Sequence, residues 1–162
     1  MIEVWRLVRM RFCATTVAAF SGEGAALAGG RWNRKGTRVA YASWSRSLAI
    51  LEILATIERA EAPTDYAFAS ASFAEEDVFQ LPPLPPEWRR PARSGTTVEI
   101  GERFVAEGRA LALAIPSVVV PQEFNYIINP LHARFGAIEI GKSLEPFAFD
   151  SRIFTLRTIL PR

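Results

Sequence analysis

The stretch GGRWNRKGTRVAYASWSRSLAILEILATIERA, residues 29–60, holds most of what this 162-residue chain says about its fold. Gly29, Gly30 and Gly36 are turn residues on either side of Arg31, Trp32 and Asn33, and RVAYA (38–42) reads as a strand. Ser43 or Ser45 can cap a helix that runs to about Ala60, with Pro63 beyond its end. Leu48, Ile50, Leu51, Ile53, Leu54 and Ile57 leave this helix no polar face at its centre, so it is expected to be buried. Glu52 stands in its middle. A turn needs glycine, but it does not need Arg-Trp-Asn.

Working outward, residues 2–8 alternate apolar and polar and read as a first strand with Arg6 near its middle. YAFASASF (66–73) reads as a strand, and LPPLPPEW (81–88) as a proline-rich surface connection too short to be a linker. Thr97 to Arg109 reads as an amphipathic helix with Val98, Phe104 and Val105 turned inward. LALAIPSVVVP (111–121) is a β-rich run interrupted by Pro116; Ala137 to Ile140 and FDSRIFTL (149–156) complete the strands. There is no repeat and no βαβ rhythm. The expectation is one domain over 1–162, of α+β class with a largely antiparallel sheet.

Composition narrows the chemistry. An apolar share of 49% and a charged share of 22% are ordinary for a globular protein. The net charge is +2, carried by arginine far more than lysine, with no basic run or basic helix face to suggest direct nucleic-acid contact. One cysteine, Cys13, excludes an internal disulfide, and with one histidine, His132, no His/Cys metal cluster can be built. MIEVWRLVRMRF lacks the apolar core of a signal peptide, and no stretch reads as a membrane span, so a cytoplasmic protein is expected. The GxSxG, Walker A and GxGxxG patterns are absent.

Several residues remain as candidates, each with two readings. A buried carboxylate at Glu52 must be paired, protonated or facing a cavity, so it is either salt-bridged to a core arginine or lines a polar cleft. Arg6 is that partner or an edge residue, or else a fork for phosphate; Arg31 admits the same readings. Trp32 is a core aromatic or a stacking surface, and Tyr41 a core tyrosine or a ring for a flat heterocycle. Ser117 satisfies the turn after Pro116 or joins the site, together with Asn125 and Asn129.

Taken in order, W-R-L in the first strand, GGRWN, V-x-Y, L-x-x-L-E-x-L, IPSVVVP, N-x-x-x-NP and FDSR resemble the RES-domain toxins of bacterial toxin–antitoxin pairs. The likeness spans residues 3 to 154. It implies a fold similar to the mono-ADP-ribosyltransferases of the diphtheria-toxin type, with strands in two small sheets, flanking helices and NAD+ in the cleft between them. It further implies a toxin that degrades NAD+ by phosphorolysis or hydrolysis of the nicotinamide–ribose bond. The alternatives are ADP-ribosyl transfer to a cellular protein, or an inactive module that only binds its antitoxin. By the resemblance, Glu52, Arg6 and Tyr41 are catalytic, while Arg6, Arg31, Trp32, Tyr41, Ser117 and Asn125 bind the dinucleotide. NAD+ is a substrate, with inorganic phosphate as a candidate co-substrate, and no prosthetic group or metal is expected. Gly29 and Gly30 would let the backbone approach the ligand. The implied partner is a helix-turn-helix antitoxin that blocks the active site, in a complex that can hold a toxin homodimer; no membrane partner is implied. Relatives often carry histidine shortly after the glutamate, where this chain has Thr56.

Overall fold

The computed structural model describes residues 1–57, 64–84, 86–89 and 95–154. Its elements in chain order are β1 (Ile2–Arg9), α1 (Thr16–Ala19), α2 (Glu23–Ala28), β2 (Ala40–Ser43), α3 (Arg46–Leu54) and β3 (Tyr66–Phe73). There follow β4 (Val78–Gln80), α4 (Gly95–Glu107), β5 (Ala112–Pro116), β6 (Phe124–Ile128), β7 (Glu139–Ile140) and β8 (Glu145–Phe147). The strands form one sheet in the order β4-β5-β6-β2-β1-β3-β7, with β8 also on β3. Among the described residues only the β4–β5 pair is parallel.

The expected two small sheets are two halves of this single sheet. β1 pairs with β3 along its whole length, Ile2 opposite Phe73 through Arg9 opposite Tyr66. β2 pairs with β6 from Ala40↔Ile128 to Ser43↔Asn125. Between the halves there is a single rung, Trp5↔Ser43. Beyond it β1 and β2 part, and a cleft opens there.

Period-two alternation sorts the core. Tyr126 and Ile128 of β6, Ala112 and Ala114 of β5, and Ala69, Ala71 and Phe73 of β3 enter one cluster with Val4 and Phe20. Ile127, Leu113 and Ile115 point the other way, beneath Phe104 of α4, with Trp32 and Trp88. Leu7, Tyr66 and Phe68 pack on that same face under Ala49 of α3. Pairing register carries Trp5, Ser43, Tyr41 and Asn125 to this face as well.

The sequence reading needs correction at several points. Ser45 is the cap of α3, accepting from Leu48 N at 3.1 Å, but the helix ends at Leu54, and the expected extension over 58–60 lies outside the described residues. Nor is α3 fully buried: Leu48 and Ala49 are, while Leu51 is 40% exposed. A short helix against one sheet has a single apolar neighbour, and its next face borders the open cleft. FDSRIFTL is no strand where it is described; Asp150 accepts from Arg152 N and starts a 3-10 turn at Ser151–Ile153. The strand here is the earlier β8, and Phe149 closes an aromatic cluster with Tyr66, Phe147 and Phe154. Ala137 likewise belongs to a 3-10 turn, which shortens the expected strand to β7. β4 was not foreseen. In the proline-rich connection Trp88 is buried against Trp32, with ring centroids 6.4 Å apart.

α4 clamps the loop that follows α2. Thr97 Oγ1 donates to Arg31 O at 2.8 Å, and the Glu102 carboxylate accepts from Arg34 N and Thr37 Oγ1. Between these positions on the helix, Gly101 lies against the Trp32 backbone so closely that a Cβ would collide with its carbonyl oxygen. Gly101→Ala is therefore expected to destabilise the fold by roughly 1–3 kcal/mol, as overpacking does. Gly95→Ala, with open space at its Cβ, should be neutral or slightly stabilising in the same urea titration. Equal midpoints for the two variants would contradict this docking.

Candidate functional site

Where β1 and β2 separate, a cleft of about 450 Å³ is lined by Arg6, Arg31, Trp32, Tyr41, Glu52 and Asn125, with Trp5, Ser43 and Ile53 among its other walls. Such a volume suits part of a small molecule. The chain thus brings six of its sequence-picked residues together from β1, the α2–β2 loop, β2, α3 and β6. The seventh, Ser117, is fully buried beneath Glu52.

Glu52 is held by neutral donors. Ser117 Oγ donates to Glu52 Oε1 at 2.7 Å, and Asn125 Nδ2 donates to the same oxygen at 2.5 Å. Val119 N and Val120 N donate to Ser117 Oγ at 3.0 and 2.9 Å, so its one proton is directed to Glu52. Ser117 thus closes the turn after Pro116 and holds Glu52 with the same hydroxyl. Asn125 is held in turn by Ser43, whose hydroxyl donates to Oδ1 at 2.7 Å. Among the described residues no arginine forms an ion pair with Glu52, so the core salt bridge weighed from the sequence is not formed. Among the described residues only Oε1 has a hydrogen-bond partner, and Glu52 lines the cleft.

Arg6 rises from the opposite face of β1, its guanidinium 5.9 Å from the centre of the Phe20 ring. Its Nε and Nη1 are buried and find no hydrogen-bond partner among the described residues. Burial pushes this guanidinium down to about 10, against smaller raising effects of Cys13 and Tyr41. It remains charged at neutral pH. A buried, unmatched cation at the edge of a cleft carries hydrogen-bonding capacity that the protein itself does not use. Arg31 is placed differently: Nη1 donates to Trp88 O at 3.2 Å, so the group reaches the cleft from an anchored position.

The GGRWN stretch turns out to be mainly scaffold. Gly29 takes a left-handed φ of 68° to end α2. A Cβ on Gly30 would lie 2.6 Å from the Tyr41 hydroxyl and 2.7 Å from Asn33 Oδ1. The absent side chain therefore admits Tyr41, not a ligand, which corrects the expectation for this glycine. Tyr41 OH donates to Asn33 Oδ1 at 2.8 Å and accepts from Trp32 N at 3.1 Å. With the hydroxyl so engaged, Tyr41 offers the cleft its ring. Asn33, 1% exposed, also sets Nδ2 against the carbonyls of Ala25, Arg34 and Thr37. Trp32 is 2% exposed and stands in the cleft as wall, its ring packed in the core.

Other residues weighed from the sequence lie elsewhere. Asn129 accepts from Leu131 N in a buried turn after β6, and His132 contacts Gly108 O. Neither lines the cleft. Thr56 does, with its hydroxyl turned back to Ile53 O. Sequence reasoning missed Ser43, weighed only as a helix cap, and Trp5, over whose ring Arg46 Cζ sits at 3.8 Å. The signal for Ser43 was its position two residues after Tyr41 in a strand, hence on the same face.

Comparison with known proteins shows the family and the fold. Residues 3–150 match the model of the RES domain. The Res toxin of Photorhabdus laumondii is 37% identical over 93% of this chain and 96% of its own length. The Prs ADP-ribosylating toxin of a Sphingobium species is 30% identical, covering 82% of this chain and 85% of its own. Among solved structures, a chain of the MbcT-MbcA toxin–antitoxin complex of M. tuberculosis shares the fold at a TM-score of 0.61. It is 15% identical, over 94% of this chain and 86% of that one.

The orphaned donors of Arg6 predict a stability cost in the free protein. Folding lowers the pKa of Arg6, so the penalty is fully present below its folded value and is relieved as pH rises toward the unfolded one. Arg6→Met keeps the stem and removes the unmatched charge. It is expected to raise unfolding free energy at pH 7 by on the order of 1 kcal/mol in urea titration. A clear loss of stability instead would mean that the guanidinium supports the fold.

Proposed function

The chain belongs to the RES-domain family, and on that premise we propose that it is a cytoplasmic toxin that breaks the nicotinamide–ribose bond of NAD+. The reading rests above all on Glu52, a carboxylate oriented through one oxygen by neutral donors, with the other left to a cleft that also holds the unmatched Arg6.

The chemistry follows from these groups. Departure of nicotinamide develops positive charge on the ribose, as in glycosidic cleavage. Oε2 of Glu52 accepts hydrogen bonds from the ribose hydroxyls and stabilises that charge in a partly dry site. Arg6 and Arg31 take the pyrophosphate oxygens, and the Tyr41 ring stacks on the nicotinamide. Asn125 and Ser117 serve the carboxylate rather than the dinucleotide. The acceptor is phosphate or water, so the products are ADP-ribose 1″-phosphate or ADP-ribose together with free nicotinamide. A second reading, ADP-ribosyl transfer to a cellular protein, is favoured by the name of the Sphingobium relative and uses the same site with another acceptor.

An enzyme that drains NAD+ needs restraint in its own cell. We infer a cognate antitoxin with a helix-turn-helix domain that seats a carboxylate at Arg6 or Arg31 and so occupies the cleft. The M. tuberculosis structure with the same fold is a toxin–antitoxin complex.

The direct test is purified protein with NAD+, with and without phosphate, followed by product identification. Glu52→Gln preserves an acceptor for Ser117 and Asn125, so the fold should survive while turnover falls by more than tenfold, each tenfold being ~1.4 kcal/mol of lost stabilisation. A folded Glu52→Gln protein with parental turnover would refute the assignment. In cells, expression of the chain alone should arrest growth and lower NAD+, and co-expression with the neighbouring gene should restore both. A harmless chain with every site residue intact would instead favour the inactive binding module.

A further inference from the structure

We propose that Ser43 is a positioning residue for Glu52, holding the far end of the Asn125 amide so that the carboxylate keeps Oε2 toward the cleft. The kinetic part of this inference rests on the NAD+-consuming reading above; its structural part does not.

Two side chains pin Glu52 Oε1, and they are constrained in different ways. Ser117 is fixed locally, by the N–H groups of Val119 and Val120 on its Oγ. Asn125 has no such anchor of its own. The terminal torsion of an asparagine is broad, so a single hydrogen bond at Nδ2 leaves the amide free to rock about it. The Ser43 hydroxyl, 2.7 Å from Oδ1, supplies the second point. The result is a directional chain, Ser43 O–H to Asn125 Oδ1, then Asn125 N–H to Glu52 Oε1. The carboxylate is acceptor-only, so the donor end of the amide must face it, and the acceptor end must then find a donor elsewhere. Ser43 is that donor. Each bond in such a chain also polarises the next.

The place of Ser43 in the sheet gives the chain a wider role. Its backbone forms the single rung that joins β2 to β1, opposite Trp5. Arg6 is the next residue along β1. The same residue that registers the two half-sheets therefore also holds the partner of the carboxylate. Through it, the position of the acid is tied to the strand that carries the cation.

The test uses Ser43→Ala and Ser43→Thr in the full chain. If the clamp operates, Ser43→Ala lowers kcat for NAD+ about tenfold, as loss of a group that acts on the transition state does, and moves KM by less than about twofold. Ser43→Thr, which keeps the hydroxyl, recovers most of the rate. Independently of turnover, the side-chain amide protons of Asn125, assigned by their loss in Asn125→Ala, should move upfield in Ser43→Ala as the bond to the carboxylate loosens. Unchanged kcat with an unchanged amide spectrum overturns the proposal, as does a raised KM at parental kcat. If Ser43→Thr does not fold, the rate and spectrum of Ser43→Ala decide alone. If the parent itself leaves NAD+ intact, the functional reading fails while the amide spectrum still tests the clamp.

Discussion

Glu52 is oriented without being neutralised, and the cleft depends on that distinction. An arginine partner would fix a carboxylate equally well but would cancel most of its charge. Ser117 and Asn125 fix it through one oxygen with neutral N–H and O–H groups, which keeps the charge available at the other. The cation that a simple core would have placed against it, Arg6, is instead left with buried, unmatched donors. Both charges are thereby held in one cleft without an ion pair between them. Such an arrangement costs stability in the free protein.

The topology makes the cleft possible. A sheet continuous across β1 and β2 would close the space between them, but the two strands share only the Trp5↔Ser43 rung. Each half is secured elsewhere: β1 by its full-length pairing with β3, and β2 by β6. Over the open side lies the α2–β2 loop, clamped by Thr97, Gly101 and Glu102 of α4. The order Arg-Trp-Asn in that loop now has a physical account. Trp32 anchors it in the core, Asn33 fastens it to three carbonyls and to the Tyr41 hydroxyl, and Arg31, tied to Trp88 O, lines the cleft.

Much of this was legible in the residues. β1 and β3 announced themselves by alternation, the capped helix by Ser45, and Glu52 by being a lone carboxylate among aliphatic residues. Of the eight candidate residues, six line one cleft, Ser117 lies beneath it, and Asn129 sits in a turn apart from it. What escaped did so for identifiable reasons. The burial of α3 was over-read because periodicity reports how apolar a face is, not whether a protein layer or a cleft meets it. Which of its two readings Glu52 takes, and its donors, could not be seen along the chain, since the hydroxyl and amide groups that hold it lie 65 and 73 residues away. FDSR suggested a strand by its apolar flanks, yet Asp150 capping its own turn outweighed them. The role of Gly30 needed coordinates, since only they show which side chain fills the missing Cβ.

The most direct measurement of the central claim is a crystal structure of the Glu52→Gln chain with NAD+ bound. The account predicts the nicotinamide riboside between the Tyr41 ring and the outward oxygen or amide of residue 52, with pyrophosphate oxygens on the Nε and Nη1 groups of Arg6. NAD+ seated outside the β1–β2 opening, or with its pyrophosphate away from Arg6, would contradict it.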